Sequence, residues 1–136
     1  MNGSIEIKKF ILSALKGMNI LQLDQDFEKE LTTGVVTPIS ISKALDVLTI
    51  RKCHSFSDKS VVDLMMKFRI KRNGTGFDLW PIYFTSVDGR SINAETIFRD
   101  KILINSKIQG ELIELADTWG KALSAQAFAR TLHANR

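Results

Sequence analysis

The chain has 136 residues, 44% of them hydrophobic and 25% charged, a balance that excludes a disordered or fibrous chain and suits a single domain, 1–136, with its own buried core. Nineteen Lys and Arg against fifteen Asp and Glu leave a net charge of +4, which favours anionic partners. The one cysteine, Cys53, has no disulfide partner within the chain, in keeping with an intracellular, cytoplasmic protein.

The basicity is local. From Arg51 to Gly76 there are seven cations (Arg51, Lys52, Lys59, Lys67, Arg69, Lys71, Arg72) against two anions (Asp58, Asp63), a surplus of five, so the rest of the chain carries one net negative charge. No apolar run reaches the roughly 18 residues that span a bilayer, so no transmembrane segment is expected.

In chain order, Ser4 is placed to cap a helix over 5–17, stopped at Gly17. Glu6, Lys8, Lys9 and Lys16 interleave there with Ile7, Phe10, Ile11, Ala14 and Met18, which reads as an amphipathic helix in a retained N-terminus rather than a signal peptide. Its apolar face docks on the core, or on a membrane surface. "LDQDFEKEL" reads as a short helix with Asp24, Asp26, Glu28 and Glu30 near its positive end. "TTGVVTPIS" is a connector. Ser40 or Ser42 caps a third helix carrying Ala44, Leu45 and Leu48, and Ser57 with Asp58 opens a fourth, in which Val61, Leu64, Met65 and Phe68 recur at helical steps.

The stretch "KFRIKRNGTG" then admits two readings. As the end of that helix, Lys67 to Arg72 oppose the dipole and Asn73-Gly74 is a stop signal. As a strand, Lys67, Arg69 and Lys71 alternate with Phe68 and Ile70 and stand about 6.6–6.8 Å apart on one face. A strand focuses the charge and a helix scatters it. The aromatic, proline-bearing "FDLWPIYF" that follows favours the strand, in a hairpin over about 67–84. Its register puts Phe68 and Ile70 on one face with Phe77 and Leu79, and the cations on the other with Asp78, Trp80 and Ile82. Pro81 marks the second strand as an edge, or as ending there.

"SVDGRS" is a turn signal before a short third strand at Arg90 to Ile92. Asn93 caps a helix to about Ile104, and "SKIQ" at Ser106 to Gln109 has capping-box form ahead of Ile108, Leu112, Leu115, Ala116 and Trp119. Gly120 breaks or bends that run, and Ala122, Leu123, Ala127, Phe128 and Leu132 give a last helix. The expected class is therefore α-rich α+β, about six helices with a small antiparallel hairpin.

A helix over 40–52, a helix over 57–66 and a hairpin resemble a winged-helix layout, in element order and over about a third of the chain. That resemblance implies a second helix in a DNA groove and a hairpin on phosphates. Asp58 and Asp63 in "SDKSVVDLMMKF" would repel phosphate and oppose base readout. What the residues support is non-enzymatic binding to the backbone of DNA or RNA through Lys67, Arg69, Lys71 and Arg72, extended by Arg51 and Lys52, with Trp80 stacking a base or the Arg69 guanidinium. Two other readings compete: a solvated edge strand guarded by lysines, or a contact for an acidic protein. A different class of function is an adaptor or self-assembly protein using the C-terminal helices, where Ala122, Ala125, Ala127 and Ala129 permit close packing.

Nothing argues for catalysis, a cofactor or a metal. Cys53 and His54 are adjacent and diverge, and His133 is the only other histidine. "GTG" lacks the rest of a phosphate loop. "DQDFEKE" after "NILQL" resembles the strand-plus-DxD start of haloacid dehalogenase-like phosphatases, but Phe27 and Glu28 stand where that family has Thr or Val. It also lacks the glycine turn of a calcium loop.

Overall fold

Alternation, not helical spacing, organises the middle of the chain. The computed structural model describes residues 3–15, 19–22, 27–33, 37–56 and 59–134. Six strands, β1 (Phe27–Thr33), β2 (Thr37–Ala44), β3 (Val47–Phe56), β4 (Lys59–Asn73), β5 (Gly76–Ser86) and β6 (Ser91–Asn93), follow one another as an antiparallel meander, five long strands and a three-residue sixth. A separate hairpin sheet pairs β7 (Glu95–Phe98) with β8 (Lys101–Ile104). Helix α1 (Ile5–Ala14) precedes the sheet, α2 (Ser106–Ala134) follows it, and one 3-10 turn spans Ile20–Gln22.

Among the described residues the fold is thus strand-rich with two α-helices, which corrects the expected six-helix, α-rich class. The helix expected over 40–52 is the β2–β3 hairpin, and the one expected to open at Ser57 is β4 from Lys59 onward. No winged-helix order survives that change. The short acidic helix is replaced by β1 from Phe27, while Asp24 and Asp26, like Gly17, lie outside the described residues. Residues expected as a helix from Asn93 to Ile104 form the β7–β8 hairpin: the Asn93 side chain accepts from Glu95 N–H at 3.0 Å, a turn two residues long rather than a helix cap. Asn105, not Ser106, caps α2, accepting from Ile108 N–H at 3.0 Å. Gly120 does not break α2.

One face of the meander builds the core. Ile39 and Ile41 of β2, Leu48 and Ile50 of β3, Met66 and Phe68 of β4, and Leu79 and Phe84 of β5 are buried at alternate positions, because a strand turns every second side chain to the same side. Ile7, Phe10 and Ile11 of α1 and Leu112, Ala116 and Leu123 of α2 join the same cluster. Of the alanines named for close packing, Ala122 and Ala125 are exposed and do not lie on that buried α2 face. The β4–β5 turn is Gly74-Thr75, with Gly74 at φ 62°. Ile70 faces Leu79 as expected. Pro81, expected at an edge or a strand end, lies inside β5, which continues to Ser86 with β6 on its far side. A register shift after Lys67 makes room for it, and β6 pairs only with Tyr83 to Thr85. The missing N–H therefore breaks no ladder bond. Gln109 Nε2 of α2 donates to the Pro81 carbonyl at 3.3 Å.

The two helices are locked at the start of α1. Ser4, its N-cap, accepts from Ile7 N–H and donates its hydroxyl to Asp117 Oδ1 of α2 at 2.7 Å. Glu6 N–H donates to the same carboxylate oxygen at 3.2 Å. One acidic side chain thus serves a helix N-terminus that belongs to another element. Asp117→Ala is expected to lower stability by about 1–2 kcal/mol, as the loss of a cap and a charged acceptor does. Urea denaturation checks it, and a change within the error of the method would discount the contact. Among the described residues no helix is long and apolar enough to cross a membrane.

Candidate functional site

The other face of the meander is polar. Register places Ser40 and Ser42 of β2, Val47, Thr49 and Arg51 of β3, Lys67, Arg69 and Lys71 of β4 and Asp78, Trp80, Tyr83 and Thr85 of β5 side by side there, because directly opposed residues share a face. Asp78, opposite Lys71, is buried and bonds Asn73 and Lys8 instead. β4 is a strand throughout Lys67 to Arg72. Its cations are therefore focused, not scattered.

Five of the seven residues singled out from the sequence come together on this face: Arg51, Lys67, Arg69, Lys71 and Trp80. Lys52, opposite Ile39 and Leu64, and Arg72, opposite Phe77, belong by register to the core-side face at its exposed ends. The sheet separates them from the group.

Arg69 is held within the molecule. Its Nε and Nη2 donate to both Glu95 oxygens at 2.7–3.2 Å, and its Nη1 donates to Asp46 Oδ1 at 2.8 Å. The hydrogen bonds to Glu95 raise the guanidinium's proton affinity above its already high ordinary value. This fork ties the base of the β7–β8 hairpin to the sheet. Lys67 instead lies over the Tyr83 ring, 5.8 Å from its centroid, and Lys71 over Trp80 at 5.3 Å. Trp80 stacks with Lys71, then, and not with Arg69. Arg51 donates to Ser42 Oγ at 3.2 Å. Among the described residues, none of these three cations has a carboxylate partner.

Where the hairpin overhangs the sheet, an open groove of about 1160 Å³ forms. Arg51, Thr49, Lys67 and Tyr83 line its floor, Glu95, Thr96 and Ile97 its hairpin wall, and Glu28 one end. Lys71 and Trp80 lie farther along the same face, toward the Gly74 turn. Two groove residues were not expected there, Tyr83 and Glu95: strict alternation puts Ile82 on the cation face, where the register shift opposite Lys67 and Phe68 sets Tyr83 instead, and Glu95 sits in a segment read as helix. The outer turn after β5 carries one more perturbed group. Asp88 is held below the usual carboxylate range by the Ser86 hydroxyl and Arg90 N–H, which stiffens the turn but faces solvent rather than the groove.

The arrangement places cations and neutral hydrogen-bond donors where an anionic group could meet them. Among the described residues no group of three His, Cys, Asp or Glu is placed to hold a metal ion. No family model matches the chain, and neither a curated protein nor a solved structure shows significant similarity to it.

Proposed function

We propose that the chain is a non-enzymatic binding protein that holds the phosphate backbone of a nucleic-acid strand along the outer face of its sheet. The observation that carries this reading is that Arg51, Lys67 and Lys71 share that face with no carboxylate partner among the described residues. Such cations have charge to give a ligand, and phosphate affinity needs little more than clustered Lys and Arg. A single strand is the favoured ligand, because Trp80 and Tyr83 share the face with the cations and offer rings on which unpaired bases can stack. Thr49 and Tyr83 add neutral donors beside Lys67. Arg69 positions the hairpin wall rather than touching phosphate, since Glu95 and Asp46 neutralise it.

Fluorescence anisotropy of labelled single-stranded and duplex DNA and RNA across a salt series tests the reading. For three phosphate contacts on a single strand, log affinity should fall against log salt with a slope of about −2. Arg51→Glu with Lys67→Glu should weaken binding at least about tenfold, because each reversal replaces attraction by repulsion at a contact. Lys52→Glu with Arg72→Glu makes the same charge change on the other face and should leave affinity within about twofold. Equal loss in both pairs would reduce the effect to net charge, and no binding by any oligonucleotide at low salt would sink the proposal.

A further inference from the structure

The β7–β8 hairpin is the most apolar exposed feature among the described residues. Ile97 is 78% exposed, Phe98 56%, Ile102 51%, Leu103 50% and Ile104 38%. Apart from the Glu95 fork at its base, the hairpin stands away from the core. A two-stranded hairpin is marginal in water by itself, and each of its strands presents an unpaired edge. Natural edges of this kind are guarded by lysine, proline or a bulge. Residues Ile102, Leu103 and Ile104 of β8 carry none of these guards.

We propose that β8 pairs antiparallel with β8 of a second copy of this chain, joining two hairpins into one four-stranded sheet about a two-fold axis. The register is dictated by the faces. Glu95, Ile97, Ile102 and Ile104 share one side of the hairpin, and Thr96, Phe98, Lys101 and Leu103 the other. A two-fold axis normal to the sheet keeps each side matched to itself when Leu103 meets Leu103 of the second copy, which sets Ile102 beside Ile104 in both directions. One side then carries two rows of three isoleucines, each closed by a Glu95, and on the other the two Leu103 side chains meet between the Thr96 residues.

Charge permits this partner. The edge from Ile102 to Ile104 is uncharged, and in this register the two Lys101 ammoniums fall at opposite ends of the ladder, about 14 Å apart and beyond the screening length at physiological salt. Size sets the strength. The five apolar side chains expose roughly 500 Å² per copy, and edge pairing covers only their flanks and the backbone between them, which places the contact at the weak, concentration-dependent end of specific interfaces. The pairing is independent of nucleic-acid binding, since the Leu103 contact uses none of the groove cations.

Sedimentation equilibrium of the full chain over a hundredfold concentration range is the test. The wild type should move from one chain mass toward two at micromolar concentration. Leu103→Lys, which sets two ammoniums directly opposite each other, should stay at one chain mass, and Val87→Lys, at a still more exposed apolar residue elsewhere, should behave as wild type. Leu103→Cys in a Cys53→Ser background should oxidise to a covalent dimer, whereas Phe98→Cys, two strands from the axis, should not; this pair keeps the test decisive should Leu103→Lys fail to fold. A single chain mass at every concentration overturns the proposal, as does a dimer indifferent to Leu103→Lys. So does a monomer that floats with phosphatidylcholine–phosphatidylserine vesicles, which would assign the apolar hairpin to a lipid surface.

Discussion

Gly120→Ala is expected to cost about 2–3 kcal/mol of stability, against the usual direction of a glycine-to-alanine change in a helix. A Cβ at this position would lie 2.7 Å from both Glu6 C and Ile7 N and 2.9 Å from Glu6 O. These are backbone atoms, so no rotamer change relieves the overlap. α1 must move as a body, loosening Ile7, Phe10 and Ile11 from the core and stretching the Ser4–Asp117 contact. Overpacking of this kind costs about 1–3 kcal/mol, occasionally more, while alanine returns up to about 1 kcal/mol of helix propensity. The net sign rests on the rigid partner. Gly110, in the same helix, has nothing within 4 Å of its would-be Cβ. Gly110→Ala should therefore stabilise by about 0.5–1 kcal/mol. Denaturant midpoints for the two variants should move in opposite directions. A shared direction would mean that α1 does not sit against Gly120.

Arg69→Met is the second large effect, with an expected loss of about 2 kcal/mol. The methionine keeps most of the volume but leaves the Glu95 carboxylate, whose side chain is only 15% exposed, without its bidentate partner. Stranding a half-enclosed charge costs more than the pair contributes when intact. The figure sits below that for a fully buried pair because Arg69 keeps some access to water, with 19% of its side chain exposed. Asp46, at 57% exposed, should matter little: Asp46→Ala is expected within about 0.5 kcal/mol. Glu95→Gln combined with Arg69→Met should recover part of the loss, giving a coupling energy of about 1–2 kcal/mol in a double-mutant cycle. Hydrogen exchange in Glu95 to Ile104 should quicken with Arg69→Met, because the fork is what holds the hairpin base to the sheet. Unchanged exchange there would show that the backbone connections at Ala94 and Asn105 suffice.

The two faces of the β4–β5 hairpin were legible in the sequence, because either closure of the Asn73 to Gly76 turn sets Phe68 and Ile70 with Phe77 and Leu79, and so was the Ser4 cap. The β2–β3 hairpin was not. Its two-residue turn puts Leu45 at φ 56°, a conformation that glycine or asparagine normally takes, and Leu45 instead extended an apparent helical spacing with Ala44 and Leu48. The β7–β8 turn hides in the same way. Arg99 and Asp100 both adopt positive φ, 49° and 63°, where Asn-Gly would have announced a hairpin. β4 was misread at its start because Val61, Leu64, Met65 and Phe68 fit a helix by spacing, and a bulge opposite Lys52–Cys53 interrupts the alternation that would have argued otherwise. Of the site, the shared face of Lys67, Arg69, Lys71 and Trp80 followed from alternation within one hairpin. The neutralisation of Arg69 did not, since both acids that bind it come from segments whose fold was misjudged.

The docking of α1 also bears on how the molecule assembles. Each strand of the meander pairs with its neighbour in sequence, so the sheet can zip up through short loops at little entropic cost. α1 has no such local partner. Gly3 and Ser4 bind the Leu79 backbone on the edge of β5 that β6 leaves uncovered, and Ser4 bonds with Asp117, 113 residues away. Its seat exists only once strand pairing and α2 are both in place. The first helix in the chain is therefore a closing piece, whose arrival seals the core from the side that the strands leave open.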